Sequence, residues 1–294
     1  MKKKAFTFDL GREIASKCME LNSITEICDY LDYEIIPTLK KSNKFQSAYY
    51  SFNKLSHSLR SGTVGFQIFS LKGNVKLPFV SFSTLPVITC PGAGKCKEYC
   101  YSFKAWRHAG AYCRQLQNTI LIKHNRELIA KSFLAIAPNC TVRLYVDGDF
   151  DSQSTLDFWF GLMDQRKDLN VYGYSKSWHL FLSHNAMNKP FPSNYCLNIS
   201  DGSIFDDKPD YAAAMLKLPC VRGYYKAVPV NHPNKGFSRY ESKEYHTEVR
   251  SSLRILTGET KVISCPGKCG SCGVGKHFCG NLALKGVTIG NGLH

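Results

Sequence analysis

The chain has 294 residues, of which 44% are hydrophobic and 21% are charged, with no low-complexity tract. This is the composition of a globular protein, and it excludes disordered and fibrous classes. No apolar run approaches the length of a bilayer span, and Asp9, Arg12 and Glu13 interrupt the stretch behind the basic start. We therefore expect a cytoplasmic protein, in which clustered cysteines bind metal more often than they form disulfides.

The charge balance indicates a polyanionic partner. Thirty-eight Lys and Arg residues stand against 23 Asp and Glu, which gives a net charge of +15 at pH 7. Nucleic acid, either DNA or RNA, is the usual partner of so basic a protein, although charge alone reports only on non-specific binding. We expect a nucleic-acid partner and no membrane. The sequence leaves the oligomeric state open.

Residues 1–62 predict a helical N-terminal extension. Ser23 and Glu26 have the spacing of a capping box, in which each side chain satisfies a backbone N–H at the start of a helix. An apolar stripe follows at i, i+4 and i+8, formed by Ile27, Leu31 and Ile35. Pro37 is expected to bend or end this helix, and residues 46–59 predict a second one.

From residue 64 the pattern changes to strands that alternate with helices. Runs rich in β-branched and aromatic residues predict strands at residues 64–71, 79–82, 141–146, 169–174 and 194–200. Helical periodicity predicts helices at residues 111–136 and 154–163. This alternation predicts an α/β domain of parallel βαβ units over residues 63–260, either a barrel or an open sheet. Both architectures place ligand-binding loops at the carboxyl ends of the strands.

The stretch from 220 to 262 looks less regular than the rest of this domain. Its basic residues are interleaved with the aromatic residues Tyr224, Tyr225, Phe237, Tyr240 and Tyr245. Such a mixture suits phosphate contacts combined with base stacking on single strands. A solvated loop and a surface helix with aromatic anchors explain it equally well.

Three cysteines form a first cluster in a Pro- and Gly-rich loop after a predicted strand: Cys90, Cys96 and Cys100. Three thiolates on a [4Fe–4S] cluster leave one iron free for a substrate or cofactor, whereas clusters without chemistry are commonly held by four. Zinc held by the three cysteines and His108 is the structural alternative. We favour the iron–sulfur cluster, because three ligands at a strand end imply an open position.

Four cysteines form a second cluster within residues 261–294: Cys265, Cys269, Cys272 and Cys279. Four thiolates close a coordination sphere, and glycines 267, 270, 273 and 275 allow backbone amides to turn toward sulfur. The sequence predicts structural zinc or a second [4Fe–4S] cluster here. His277 could replace one cysteine as a metal ligand, although a histidine in such a position is usually an exposed surface residue. Cys113, Cys196 and Cys220 are further candidates for an extra ligand.

Polar residues follow three predicted strands. Gly148 and Asp149 follow the first, Lys176 the second and Asp201 the third. If these strands are parallel neighbours, all four residues face one cavity together with the first cysteine cluster. Asp149 and the neighbouring Asp147 could hold a ribose, an amine or a second metal. Capping of the following helix is the more common role of such a pair.

Several of these motifs resemble the phage and plasmid gene product 88 family. The similarity is carried by residues 86–102, 143–150 and 172–177 and by the C-terminal cysteine knuckles, in the family's order, and it covers roughly residues 64–285. The layout in turn resembles radical S-adenosylmethionine (SAM) enzymes, which have three cysteines after the first strand and an aromatic residue, here Tyr99, just before the third. Those enzymes space the cysteines by three and then two residues, whereas the gaps here hold five and three.

The resemblance implies a partial (β/α) barrel of the radical SAM type with a [4Fe–4S] cluster on Cys90, Cys96 and Cys100. It further implies that Gly148, Asp149 and Tyr99 hold S-adenosylmethionine, and that Asp149, Lys176 and Asp201 form the catalytic and substrate-binding set. The substrate is then a nucleic acid or a nucleotide. The alternative is a non-catalytic nucleic-acid-binding protein, stabilised by Fe–S or Zn, that acts in phage or plasmid replication, transfer or host takeover.

Overall fold

The computed structural model of the chain describes residues 8–73, 77–231, 240–269, 272 and 277–293. Of the residues named above, Phe237, Gly270, Gly273 and Gly275 lie outside this part, as do Lys235 and Arg239, two basic residues of the stretch from 220 to 262. Among the helices of the described part, none combines the length and the apolarity that a membrane crossing requires.

Seven strands form one parallel sheet within the described residues. They are β1 (Val80–Ser81), β2 (Thr141–Leu144), β3 (Asn170–Ser175), β4 (Tyr195–Ser200), β5 (Val221–Val228), β6 (Val262–Ser264) and β7 (Thr288–Gly292). Their order is β1-β2-β3-β4-β5-β7-β6, and every pairing is parallel. The edge strands are β1 and β6, and no ladder joins them in the part described. The prediction of an α/β domain with parallel strands is therefore confirmed.

Helices connect the parallel strands, as a parallel sheet requires. The main helices are α1 (Phe8–Glu20), α2 (Ile24–Tyr30), α3 (Ile36–Lys40), α4 (Gln46–Arg60), α5 (Ala109–His124), α6 (Arg126–Leu134), α7 (Gln153–Gln165), α8 (Trp178–Ala186), α9 (Pro209–Lys217) and α10 (Lys243–Thr257). A π-helical turn spans Leu31–Ile35, and 3₁₀ turns span Lys95–Lys97, Tyr101–Arg107 and Phe278–Gly280.

The two faces of the sheet have different coverings. Alternate strand residues such as Val142, Val171 and Leu197 are fully buried in the main core, to which residues of helices α1–α9 also contribute. The opposite face carries Tyr172 and Cys196, which pack with residues of the C-terminal segment, including Cys265 and Cys279. We call this the inner face. The period of two along a strand thus separates a helix-covered face from one covered by the second cysteine cluster.

The N-terminal helices form as predicted, and of the two outcomes expected at Pro37, a bend or an end of the helix, the end is excluded. The Ser23 hydroxyl accepts a hydrogen bond from the Glu26 amide at 3.1 Å and caps α2. The predicted apolar stripe is buried in the main core. The chain stays helical through Pro37, because the wider π turn before it accommodates a residue that lacks an N–H. The Tyr112 hydroxyl on α5 donates to the Gly11 carbonyl at 2.6 Å and ties α1 to the α/β core.

The strand predicted at residues 64–71 does not form; only an isolated antiparallel bridge joins Ser70 to Ser81. Side-chain amides of α5 take the place of a strand partner. Gln117 accepts from the Phe66 amide at 2.9 Å and donates to its carbonyl at 2.8 Å. Asn118 donates to the Ile68 carbonyl at 3.0 Å. Both side chains are fully buried, so these bonds satisfy backbone groups where water does not reach.

Two other predictions need correction. The helix predicted at residues 111–136 is broken at Asn125, where Arg126 bonds back to the Ile122 carbonyl at 2.7 Å and across to the hydroxyls of Ser154 and Thr155 on α7. The stretch from 220 to 262 is more regular than expected, since it contains β5, α10 and β6. Helix α10 buries Tyr245, Val249 and Leu253 at i, i+4 and i+8.

Replacing Gln117 with Leu removes both bonds to Phe66. We expect Gln117→Leu to lower the free energy of unfolding by about 2 kcal/mol or more, because a donor and an acceptor in a partly buried segment lose their partners. Gln165→Leu is the control, since Gln165 is exposed and bonds only within its own helix. It should change stability by less than about 0.5 kcal/mol. Urea unfolding measures both, and equal effects would contradict the role given to Gln117.

Candidate metal centres

The first cysteine loop lies at the carboxyl edge of the sheet and is attached to the loops after β3 and β4. Ala93 forms an isolated bridge with Ser203. The amides of Gly94 and Cys96 both donate to the Gly202 carbonyl, at 2.8 and 3.3 Å. The Ser203 hydroxyl lies within hydrogen-bonding distance of the carbonyls of Gly92, at 3.1 Å, and Lys176, at 2.9 Å. Three strand-end loops therefore share one backbone network around the thiols.

Two close approaches in this network require glycine. A Cβ on Gly92 would overlap the carbonyl of Lys176. A Cβ on Gly202 would lie 2.7 Å from the Cβ of Cys96 and 2.7 Å from the hydroxyl of Tyr99, and its φ of +76° favours glycine as well. The loops can approach this closely only because both positions lack a side chain.

The environment of the first cluster keeps free thiols protonated. Burial raises the pKa of Cys90, and the neighbouring Asp149 carboxylate adds to this effect. Burial also raises the pKa of Cys96, while the ammonium of Lys176 acts in the opposite direction. Cys100 contributes to the shifts of both thiols, so the three lie within electrostatic range of one another. A metal bound here would have to displace these protons.

Asp149 holds the loop after β3 in place. One carboxylate oxygen accepts from the amides of Lys176, at 2.8 Å, and Ser177, at 3.2 Å, and the other accepts from the Phe150 amide at 2.8 Å. The residue is 4% exposed, and burial raises its pKa although these bonds oppose the shift. In this geometry Asp149 positions the backbone of Lys176.

Lys176 and Asp201 lie at neighbouring strand ends, as predicted. The Lys176 ammonium donates to the Ser200 hydroxyl at 2.8 Å. Burial acts to lower its pKa, but the opposite effect of Cys96, Asp149 and Asp201 is larger. The pKa of Lys176 is therefore raised overall, and the group stays charged. The Asp201 carboxylate accepts from the Ala227 amide at 3.0 Å, and burial raises its pKa. One ammonium thus lies among two carboxyl groups and two thiols.

Gly148 and Tyr99 also border this site. Gly148 has a φ of +83°, and a Cβ there would overlap the Thr84 hydroxyl, so this turn packs tightly on the loop after β1. Tyr99 is 46% exposed, and burial of its hydroxyl end together with Asp201 and Cys96 raises its pKa to about 12. Asp147 accepts from Gln115 at 2.9 Å. His108, the alternative zinc ligand, is exposed at the start of α5.

The second cysteine cluster lies against the inner face of the sheet. The Cys279 carbonyl accepts from the amide side chain of Asn198 at 2.8 Å and from the Cys196 thiol at 3.3 Å, both on β4. Asn198 in turn accepts from the Nε of Arg222 on β5 at 2.6 Å. All three strand residues are buried, so a polar network inside the protein anchors Cys279.

Backbone amides and tyrosines surround the second set of thiols. The Gly267 amide donates to Cys265 Sγ at 3.4 Å, and the Phe278 amide donates to Cys272 Sγ at 3.3 Å. Tyr225 and Tyr174 act on Cys265 and Cys279 as side-chain hydrogen-bonding partners that lower the pKa of each thiol, whereas burial, the largest effect, raises it. Amide-to-sulfur bonds are the outer-shell contacts that stabilise thiolate ligands.

Two arginines, one buried and one half-buried, face this cluster without a paired carboxylate. Arg222 is fully buried, and among the described residues its guanidinium bonds to Asn198 and to the carbonyls of Val287 and Tyr224. The Arg143 guanidinium lies 4.6 Å from the ring centre of Tyr174; burial acts to lower its pKa, but Tyr174 and other tyrosines, followed by Cys269, raise it. Neither takes part in an ion pair between described residues. Buried guanidinium groups require a compensating anion, which ionised thiolates on a metal would supply.

His277 is buried, contrary to the expectation of an exposed side chain. It is 5% exposed, and its ring lies 4.2 Å from that of Tyr172 and 4.7 Å from that of Phe79. Burial, reinforced by Arg143, lowers its pKa to about 4, so the ring is neutral at pH 7. Its Nε2 has no hydrogen-bond partner among the described residues. The aromatic contacts of the inner face explain why this polar residue lies inside.

In the described part of the chain, no three His, Cys, Asp or Glu side chains are arranged as a metal site. The donor chemistry nevertheless fits metal at both clusters. The first offers three thiols beside a lysine, and the second offers four thiols, two of which receive amide bonds, beside the buried Arg222. Both patterns suit thiolate-bound zinc or iron.

A comparison with protein families adds to this geometry. The family model described as gene product 88 matches residues 40–274.

The chain belongs to the gene product 88 family.

The match begins in α3, within the predicted N-terminal extension, and includes the first cysteine cluster and three cysteines of the second. No curated protein and no solved structure matches the chain.

Sequence reasoning missed several residues that complete these sites in the gene product 88 chain. Ser200, the partner of Lys176, lies inside a strand where nothing in the sequence singles it out. Arg222 was assigned to a basic surface region, but it is buried on the inner face. Of the aromatic residues in that region, Tyr245 is fully buried and Tyr225 faces Cys265. The alternation of inward and outward residues along β5 was the signal that could have indicated the burial of Arg222. A bulge in the pairing of β4 with β5 obscures this alternation.

Gly202→Ala tests the attachment of the first cysteine loop. We expect a loss of stability greater than the cost of the positive φ alone, together with reduced metal content, because the new Cβ displaces Cys96. Gly258→Ala is the matched control, since Gly258 has a φ of +68° and open space around its Cβ position. It should cost about 1–2 kcal/mol. Equal stability and metal content in the two variants, measured by urea unfolding and metal analysis, would contradict the close contact.

Arg222→Met tests the charge balance of the second cluster. In a Cys90→Ser/Cys96→Ser background, which removes the first set of ligands, we expect metal affinity to fall by roughly tenfold or more, as for other outer-shell changes. Arg254→Met is the control, because Arg254 is exposed on α10. Competition with a chelator measures the affinity. Unchanged affinity in Arg222→Met would mean that the arginine does not compensate thiolate charge.

Proposed function

We propose that this gene product 88 chain is an iron–sulfur protein of the radical SAM type that acts on a nucleic acid or a nucleotide. Cys90, Cys96 and Cys100 would hold a [4Fe–4S] cluster with one iron free. The observation that carries this proposal is the position of these cysteines on the loop after β1, attached by backbone bonds to the loops after β3 and β4. Parallel sheets place ligand sites at this edge.

We infer that the sheet is a partial (β/α) barrel. Strands β1 to β5 are neighbours in chain order and parallel, which is the arrangement of a singly wound barrel. Helices α5–α9 contribute to the core on one face, and the C-terminal segment covers the other. A concave inner face would give the second cysteine cluster the enclosed position that its burial indicates.

Bound at the first cluster, a [4Fe–4S] centre would supply the electron that cleaves S-adenosylmethionine reductively. The chain's own residues would prepare this step. The Lys176 ammonium would balance thiolate charge at Cys96 and Cys90, to which it is electrostatically coupled. Asp149 would fix the Lys176 backbone, and the Gly148 turn and Tyr99 would border the cofactor. Asp201, whose carboxyl group is held by the Ala227 amide, would contact the cofactor or the substrate.

The second cluster would serve structure. Its four cysteines close a coordination sphere, and Cys279 is tied to β4 by two hydrogen bonds on a buried face. Structural zinc and an auxiliary [4Fe–4S] cluster both satisfy this donor set and both carry the negative charge that Arg143 and Arg222 require. Metal here would fasten the C-terminal segment to the inner face of the sheet.

One observation favours a second candidate. The gaps of five and three residues in the first cluster differ from those of radical SAM enzymes, which suits a cluster kept for structure or sensing. The protein would then be a non-catalytic, metal-stabilised nucleic-acid-binding protein of phage or plasmid type, acting in replication, transfer or host takeover. Zinc without iron in the purified protein would favour this candidate.

Cys96→Ser tests the enzyme. In anaerobically purified, reduced protein we expect about four irons fewer per chain than in the wild type, because one [4Fe–4S] cluster is lost, and no cleavage of S-adenosylmethionine. Cys140→Ser is the matched control, since Cys140 lies before β2 and outside both clusters. It should retain iron and activity. Iron and sulfide analysis with chromatography of the cleavage products measures both; wild-type protein that binds iron but never cleaves the cofactor would exclude the radical enzyme.

A further inference from the structure

Building on the nucleic-acid substrate proposed above, we propose that single-stranded nucleic acid binds directly over the first cysteine cluster. The surface is formed by six exposed or half-exposed side chains that we call the cysteine-loop rim: Lys95, Lys97, Tyr99, Tyr101, Lys104 and Arg107. From the sequence alone, residues 220–262 were one candidate for such a surface, with a solvated loop and a surface helix as the equal alternative. The exposure and charge of the cysteine-loop rim favour it over that stretch as the nucleic-acid surface.

The net positive charge of the chain is concentrated in one stretch. Residues 35–146 contain sixteen Lys and Arg residues but only two acidic ones, Glu98 and Glu127. The remaining residues contain 22 Lys and Arg against 21 Asp and Glu, so they are almost neutral. The cysteine-loop rim lies within the basic stretch. A phosphate backbone would therefore be attracted to this part of the molecule rather than to its surface as a whole.

Cationic and aromatic side chains of the rim flank two thiols of the first cluster. Lys95 and Lys97 flank Cys96 on a 3₁₀ turn, and both are exposed. Tyr99 and Tyr101 flank Cys100. Lys104 and Arg107 continue the cationic row along the following 3₁₀ turn, where both are exposed. Glu98 is the one acidic residue between Lys95 and Arg107. Phosphates and bases of one strand would thus meet matching groups next to the first cluster.

The two tyrosines are held in place by their hydroxyl ends. The Tyr101 hydroxyl donates to the Val146 carbonyl beyond β2 at 3.2 Å, and its side chain remains 50% exposed. The Tyr99 hydroxyl lies against Gly202 beyond β4. A ring fixed at one end loses little freedom when a base stacks on it. The tyrosines of the 220–262 stretch are less exposed: Tyr245 is fully buried, Tyr225 packs against the second cluster, and Tyr224 and Tyr240 are half-buried.

Single strands fit this rim better than a duplex. Bases stack on protein aromatic rings when their faces are free, and in a duplex those faces are covered by neighbouring base pairs. Every base has a ring face, so binding should show little dependence on sequence. The strand would lie between the cationic row and the strand-end groups Lys176 and Asp201. A substrate held there would be within reach of any chemistry at the first cluster.

The test measures binding of a fluorescein-labelled oligo-dT single strand to the full chain by anisotropy at several salt concentrations. We expect Lys95→Gln/Lys97→Gln to weaken binding and to lower the slope of log affinity against log salt by about 1.4, from about 0.7 per lost phosphate contact. We expect Tyr101→Leu to weaken binding about fivefold or more, the loss of one stacked base. The matched controls, Lys167→Gln/Lys217→Gln and Tyr33→Leu, change exposed residues outside the rim and should bind like wild type.

The proposal is overturned if the Lys95→Gln/Lys97→Gln protein keeps the wild-type affinity and salt slope, or if a duplex of the same length binds as tightly as the single strand. Iron content and cleavage of S-adenosylmethionine are measured in the same preparations. If a rim variant binds DNA like the wild type and also keeps its iron and its cleavage activity, the rim proposal is rejected and the enzyme proposal stands. If instead the wild-type protein contains no iron, but its DNA binding is weakened in the rim variants, the enzyme proposal is rejected and the rim proposal stands.

Discussion

Backbone contact between three strand-end loops is the constraint on which the first cluster depends. The loop after β1 approaches the loops after β3 and β4 so closely that its amides share the Gly202 carbonyl and its Gly92 packs on the Lys176 carbonyl. This contact requires β1 to β4 to be parallel and in order, because only then do their carboxyl ends meet at one edge. It also requires the buried Asp149 carboxylate, which turns the β3 loop toward the thiols. Side-chain chemistry at this edge is thus set by backbone packing.

Charge compensation is the corresponding constraint at the second cluster. The inner face of the sheet buries the side chain of Arg222 and half-buries that of Arg143, and a guanidinium does not lose its proton in a protein. Burial of such charges is unfavourable unless an anion is near. Cys279 is the acidic group that acts most strongly on Arg222, whereas Arg143 is influenced by Tyr174, Tyr172 and Tyr101 before Cys269. Metal-bound thiolates would supply the negative charge that neutral thiols lack. The fold of this face would then depend on metal at the second cluster.

The sequence predicts the parallel α/β architecture, and it predicts strands β2, β3 and β4 to within two residues. These strands could be predicted because they coincide with runs rich in β-branched and aromatic residues. It fails at residues 64–71, where an apolar run forms no strand because Gln117 and Asn118 satisfy its backbone from a helix. It also predicts that Lys176, Asp149 and Asp201 share one edge, which follows from parallel topology alone. It cannot reveal the burial of His277 or Arg222, since both depend on contacts between segments far apart in the chain.

The two clusters differ in their surroundings as well as in the number of their cysteines. Cys279 is buried and tied to β4 behind aromatic rings, whereas Cys265, Cys269 and Cys272 are half-buried, as are the three cysteines of the first cluster. Cys96 and Cys100 instead lie between side chains that are exposed, on a loop in the basic stretch of the chain. A closed site on a covered face suits structure, and an open site at a strand edge suits chemistry. Under the proposed function, cysteines in glycine-rich loops would thus have two roles, set by their position relative to one sheet.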